Sequence, residues 1–250
     1  MSEPQPCRHG VLAFGDSITN GGGELQWGVA LQSWAWWVAR GLGLPFTSYA
    51  VDGARAADVV RAQLPALSER TARPDARFDL GCVYVGVNDV RAPEFDAGAY
   101  AADVDRVLAA LAERCDRVLA VTIPLDLGRP RAGLAVGEAN RIVEAAARAS
   151  DALVLDLRGF GARNLVMADH VHPTAFGQVA IAERALDVLA ADGMRVLVRP
   201  STLIAPGERT RWHALRGDWT YVYRSLKVSA RAAVAARRAA RAGAARSDMR

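Results

Sequence analysis

The stretch Val11-Leu12-Ala13-Phe14-Gly15-Asp16-Ser17-Ile18-Thr19 runs from four apolar residues straight into Gly-Asp-Ser. Four apolar residues in a row, ended by glycine, are the pattern of a strand buried on both faces that stops in a tight turn. Working outward, the same event recurs along the chain. Pro45 to Val51, rich in β-branched and aromatic residues, reads as a second strand, and Leu80 to Val85 as a third that ends at Gly86. Arg117 to Ile123 reads as a fourth, stopped by Pro124, and Ala152 to Leu157 as a fifth. Between them lie amphipathic stretches of helical length: Trp27 to Leu42, Ala56 to Glu69, Asp96 to Arg114, Val136 to Ala149 and Pro173 to Ala191. Proline suits the first turn of the last of these, because its missing N–H has no partner there anyway.

This alternation predicts an α/β fold: a three-layer α/β/α domain over residues 9–193, with a five-stranded parallel sheet between two helical layers. In such sheets ligands bind beyond the carboxyl ends of the strands. Ser17, Gly53 and Asn88 follow the first, second and third strands, and Asp169 and His172 sit in the loop that feeds the last helix. A parallel sheet would bring all five to one edge.

At 250 residues, half of them hydrophobic, the chain is long enough for one such domain with a sizeable core. Cys7, Cys82 and Cys115 are far apart in sequence, which speaks against a disulfide framework or a zinc knuckle. The first ten residues are polar and lack the basic-then-apolar pattern of a signal peptide. No window is apolar enough to span a bilayer. The expectation is a cytoplasmic protein. Residues 194–223, with Trp212, Trp219, Tyr221 and Tyr223, read as an extension that packs its aromatics on the domain. Residues 224–250 read as a basic Ala/Arg tail, helical or disordered. Eight basic residues and Asp248 give that tail +7, so within a total of +4 the rest of the chain carries −3. The tail reads as a solvated end, with contact to anionic lipid headgroups or to nucleic acid as open alternatives. Because the basic balance belongs to the tail, no nucleic acid is expected as a partner of the folded part.

A serine hydroxyl attacks a carbonyl only when a base within hydrogen-bond reach takes its proton and a third group orients that base. The chain has four histidines. His9 stands at the chain start, His213 in the extension, and His170 and His172 within Asp169-His170-Val171-His172-Pro173. An aspartate three residues ahead of a histidine can hold Nδ1 within one turn of loop and leave Nε2 free, which favours His172 as base and Asp169 as its partner. Acyl transfer also needs donors aimed at the developing oxyanion. The N–H of Ser17, the unhindered N–H of Gly53 and the amide of Asn88 are the candidates.

Gly15-Asp16-Ser17-Ile18, Gly53, Gly86-x-Asn88-Asp89 and Asp169-x-x-His172-Pro173 together resemble the four sequence blocks of the SGNH hydrolases, or GDSL-type esterases and lipases. The resemblance spans roughly Val11 to Leu189 and implies a flavodoxin-like fold. It implies Ser17 as nucleophile and oxyanion donor, Gly53 and Asn88 as the other oxyanion donors, His172 as base, Asp169 as its orienter and Asp16 as support for the serine turn. It implies no metal and no organic cofactor. The expected substrate is a small-molecule carboxylic ester, with small to medium acyl groups or an acetylated compound. A thioesterase or acyltransferase using the same residues is the alternative, and a binding module acting through the basic tail is a second. The G-x-S-x-G signature of α/β-hydrolases is absent around Ser17. The second block departs from the pattern by lacking an Asn a few residues before Gly53. Asp52, whose charge would oppose an oxyanion, is expected to point away.

Three further stretches carry expectations. Two or three rings of Trp34-Ala35-Trp36-Trp37 are expected to pack, with a sugar or acyl platform as the alternative. Gly21-Gly22-Gly23 lacks a phosphate loop's G-K-[ST] ending and reads as a flexible lip of the pocket. Gly128 to Gly133, with Arg129 and Arg131, reads either as a mobile substrate loop or as an ordinary solvated one.

Overall fold

The computed structural model describes residues 8–26, 28–70, 77–128, 131–162, 164–204, 222–223, 226–227 and 229–230. Its elements follow the expected alternation. In chain order they are β1 (Val11–Gly15), α1 (Trp34–Leu42), β2 (Phe46–Ser48), α2 (Ala56–Asp58), a π-helical turn (Val59–Gln63), α3 (Leu64–Arg70), β3 (Leu80–Tyr84) and α4 (Val87–Val90). There follow α5 (Ala97–Arg114), β4 (Val118–Val121), α6 (Leu134–Ala149), β5 (Leu153–Leu155), α7 (Ala175–Ala191) and a 3₁₀ turn (Pro200–Leu203). The five strands form one parallel sheet in the order β2-β1-β3-β4-β5. Every residue of β1, β3 and β4 is buried, as continuous apolar runs require when helices cover both faces. Val83 and Val85 pack toward Val104, Val107 and Leu108 of α5 and Val143 of α6. On the other side, α1 and α7 pack together, and Trp34 is fully buried.

Several boundaries differ from expectation for local reasons. The first helix begins at Trp34 rather than near Trp27, because the Ser33 side chain caps it by accepting from Ala35 N at 3.2 Å. Gly28, at φ 81°, belongs to the irregular segment before it. The helix expected over Ala56 to Glu69 is present but carries the π-helical turn in its middle. A short α4 holds Asn88 and Asp89. Asp96 and Thr174 cap α5 and α7 through their side chains.

Beyond α7, Leu197 N and Val198 N donate to Gly41 O at 2.8 and 3.1 Å, and Arg199 pairs with Glu183 and Asp187 of α7. Trp212, His213, Trp219 and Tyr221 lie outside the described residues, and Tyr223, which was expected to pack with them, is described and exposed. Of the expected basic tail, only 226–227 and 229–230 are described, and they are exposed. Among the described residues no helix is long and apolar enough to cross a membrane.

Candidate active site

The end of β1 is fixed by a glycine and a glutamine. Gly15 has φ 152°, and a Cβ there would meet Tyr84 O at 2.5 Å and Thr19 Oγ1 at 2.6 Å, so only glycine lets the chain turn at this point. Gln63, buried in the π-helical turn, binds both polar groups of Gly15: Gly15 N donates to its Oε1 at 3.0 Å, and its Nε2 donates to Gly15 O at 2.8 Å. A π-helical turn re-aims side chains relative to a regular helix, and such turns recur at functional sites.

The next residues form one helical turn, with Asn20 N donating to Asp16 O at 2.9 Å and Gly22 N to Ser17 O. Asp16 is fully buried, and its Oδ1 accepts from Ile18 N at 2.9 Å. Burial pushes its carboxyl up to about 7, against the Ile18 N–H and the nearby His172, which favour the charged form. Gln178 of α7 donates to Ile18 O and Gly22 O, both at 3.0 Å, and accepts from Trp34 N at 2.8 Å. Gly21 to Gly23, expected as a flexible lip, is half-buried and tied to the serine turn and α7 by these bonds. A Cβ on Gly22 would meet Ser17 O at 2.7 Å, and Ala175 N donates to Glu24 O at 2.9 Å.

Ser17 Oγ lies 3.0 Å from His172 Nε2, and His172 Nδ1 lies 2.8 Å from Asp169 Oδ2. The other carboxyl oxygen of Asp169 accepts from Val171 N at 2.9 Å and His172 N at 3.1 Å. That pair of bonds is what three-residue spacing allows: one carboxylate closes the loop backbone and still reaches the ring. Burial pushes the Asp169 carboxyl up, but the bonds from His172 and the loop N–H groups outweigh it and hold the group below its ordinary value. The bond to Asp169 raises His172 above the ordinary histidine value, with burial opposing.

The second and third strand ends meet beside this pair. Asn88 Nδ2 donates to Ala54 O at 3.0 Å and to Asp16 Oδ2 at 3.4 Å. Both oxygens of Asp89 accept from Ala56 N at 3.2 Å. Burial pushes Asp89 up to about 6, and the Ala56 N–H opposes this. Asn88 and Asp89 thus grip the 54–56 backbone just after Gly53. Gly53 has φ 79° and open space where a Cβ would stand. Among the described residues, no acceptor takes the N–H of Ser17 or of Gly53. Asp52 is exposed, and Asn20 Nδ2 donates to its Oδ1 at 2.9 Å.

The remaining expectations divide. Trp34 and Trp37 are buried, Trp34 Nε1 donating to Thr19 Oγ1 at 3.3 Å, and Trp36 is half-buried with its ring edge-on to Trp37. These rings pack, as expected. Around Gly128, Gly128 N donates to His170 O at 2.8 Å, and Asp126 pairs with both Arg131 and His170. That part of the loop is tied to the segment carrying Asp169 and His172, while Arg129 lies outside the described residues. His170, with φ 56°, is held by this contact and not by Ser17. Sequence reasoning missed Gln63, Gln178 and the backbone-holding role of Asp89. The available signal was a glutamine on an otherwise apolar helix face, which must find partners when buried.

No curated protein sequence matches the chain significantly. Solved structures do share its fold. LAE5, described as an alpha/beta hydrolase enzyme from the metagenome of Lake Arreo, Spain, matches with TM-score 0.57 at 16% identity, covering 72% of this chain and 94% of that one. Axe2, an acetylxylan esterase from Geobacillus stearothermophilus, matches with TM-score 0.55 at 18% identity, over 72% of this chain and 94% of its own. A structure described as TesA matches with TM-score 0.58 at 20% identity, over 73% and 98%. The sequence itself matches the GDSL-like Lipase/Acylhydrolase family over residues 13–180, from the middle of β1 into α7. By that match, the chain belongs to the GDSL-like lipase/acylhydrolase family and is an ester hydrolase.

Proposed function

We propose that the chain cleaves carboxylic esters through an acyl-serine intermediate, with Ser17 as nucleophile, His172 as general base and acid, and Asp169 orienting His172. The observation that carries this reading is the pair of contacts on one imidazole: Ser17 Oγ at 3.0 Å from Nε2 and Asp169 at 2.8 Å from Nδ1. Ser17 Oγ attacks the ester carbonyl as its proton passes to His172 Nε2. The tetrahedral intermediate collapses, the alcohol departs with that proton, and the acyl group stays on Ser17. Water then attacks the acyl-serine as His172 Nε2 takes its proton, and His172 returns that proton to Ser17 Oγ as the C–O bond to serine breaks and the acid is released.

The oxyanion is received by the N–H groups of Ser17 and Gly53 and by Asn88 Nδ2. The two backbone groups have no described acceptor, which supports that role. Asn88 contributes through its longer bond, the one to Asp16 at 3.4 Å, which can be shared with a substrate oxygen. Asp16 acts as support, holding the turn through Ile18 N. Asp52 is occupied by Asn20, which keeps its charge engaged away from the proposed hole.

The substrate reading is a small or medium acyl group, acetylated sugars included, the latter suggested by the acetylxylan esterase among the structural neighbours. A series of aryl esters of increasing acyl length, run beside acetylated sugars and acyl-CoA thioesters, tests it. The expected result is greatest kcat/KM with short acyl esters, abolished in Ser17→Ala. Turnover confined to thioesters would overturn the ester reading, and activity surviving in Ser17→Ala would overturn the nucleophile.

A further inference from the structure

Beside the loop that carries Asp169 and His172 lies a cavity of about 130 Å³. Ile18, Phe160, Val166 and Ile181 form its apolar wall. None of Ser17, His172 and Asn88 lines it. It shares walls with the site all the same. Ile18 follows Ser17, and Val171 and Pro173, on either side of His172, both face the cavity.

Tyr84, Asp126 and His170 are the polar side chains in the cavity's described lining. Tyr84, at the end of β3, is 2% exposed and lines the cavity. Its hydroxyl makes no hydrogen bond to any described residue, yet it is not among the atoms sealed without a partner. The remaining contact of that hydroxyl is therefore the cavity itself. A buried hydroxyl without a partner is costly, and a ligand that supplies one removes the cost. Asp126 also lines the cavity, with Arg131 Nε at 2.7 Å and His170 Nδ1 at 2.8 Å. A carboxylate already paired there disfavours an anionic guest. The size is close to that of an engineered cavity in another protein, about 150 Å³, which holds benzene.

We propose that this cavity is a second small-molecule site, taking a neutral, mostly apolar molecule the size of one six-membered ring with a single hydroxyl that pairs with Tyr84. Its occupant bears on turnover through Val171 and Pro173. Binding stands independently of the proposed hydrolysis; only the effect on turnover rests on that reading.

The test uses phenol and benzene as probes, with NMR of labelled methyl groups on the full chain. Phenol produces saturable shifts at Ile18, Val166 and Ile181. Tyr84→Phe weakens phenol roughly three- to tenfold, the worth of one hydrogen bond, and leaves benzene unchanged. Val166→Phe, which fills the cavity, weakens both probes. In ester hydrolysis, saturating phenol changes kcat and leaves KM alone. The site is refuted by the absence of saturable shifts at those methyls, or by equal phenol affinity in Tyr84→Phe and the parent. A pure rise in KM refutes its separateness from the substrate site, and an unchanged kcat refutes the coupling. The NMR arm reads out even if no ester is turned over, so the two proposals fail separately.

Discussion

Replacing Gln63 by leucine tests whether a side chain remote in sequence holds the serine turn. The glutamine is 2% exposed and satisfies both the N–H and the carbonyl of Gly15. The carbonyl keeps a second partner, Val51 N at 3.1 Å, while the N–H loses its 3.0 Å bond to Gln63. Losing the bond to the carbonyl costs about 1 kcal/mol, and stranding the buried N–H costs about 1–3 kcal/mol, so the total is about 2–4 kcal/mol. For a chain of this length that corresponds to a fall in Tm of roughly 5–15 °C. Gly15 immediately precedes Asp16 and Ser17, so the loss reaches chemistry as well: a shift of about 1 Å at a reacting group can cost on the order of 100-fold in rate. The assay is urea or thermal unfolding, paired with initial rates well below Tm. Gln63→Glu sharpens it. The charged carboxylate would face the Gly15 carbonyl, while the protonated acid could still donate to it. Burial raises such an acid, so the variant is closest to the parent at low pH and loses stability as pH rises. A Gln63→Leu protein within about 2 °C of the parent Tm, with unchanged kcat, would refute the reasoning.

Three other outcomes follow from the same geometry. Asp169 is the largest cause of the raised His172 value, so Asp169→Asn moves the acid limb of the kcat/KM–pH profile downward while lowering kcat by up to about 10⁴-fold; an unmoved limb in an active variant would contradict the assignment. The sign follows from the base being active when neutral: in the parent, activity is lost as pH falls through a value above the ordinary histidine range. Asn88→Ala lowers kcat by roughly 10²–10³-fold with little change in KM, the pattern expected of an oxyanion donor; a KM effect alone would make Asn88 a substrate-binding group instead. Asp16, pushed from 3.8 to about 7 in the fully buried site, favours folding less as pH rises through that window, by about 4 kcal/mol at roughly 1.4 kcal/mol per unit. Asp16→Asn cannot titrate, so its stability relative to the parent grows between about pH 4 and 7 in urea unfolding; a pH-independent difference would count against the raised value.

The sheet, its parallel sense and the edge that carries Ser17, Asn88, Asp169 and His172 were legible because each signal is local. A run of four or five apolar residues stopped by glycine marks a doubly buried strand. An aspartate three residues before a histidine can reach its ring within one loop. What was not legible depends on partners distant in sequence. Gln63 and Gln178 acquire meaning only when the fold brings them to the backbone of Gly15, Ile18 and Gly22. The start of α1 was misplaced because apolar residues upstream of Ser33 keep a helical rhythm in an irregular segment, and a serine cap outweighs that rhythm. Gly21 to Gly23 looked flexible by composition, yet close approach to Ser17 and Pro173 is what their missing side chains permit.

The central claim is that Ser17 is a nucleophile activated by His172. Incubation with a fluorophosphonate, read by intact mass, tests it most directly. One equivalent should add to the parent protein, the modified peptide should contain Ser17, and Ser17→Ala should remain unlabelled with its fold intact by circular dichroism. Labelling of the folded Ser17→Ala protein, or a folded parent that resists the reagent, would contradict the account.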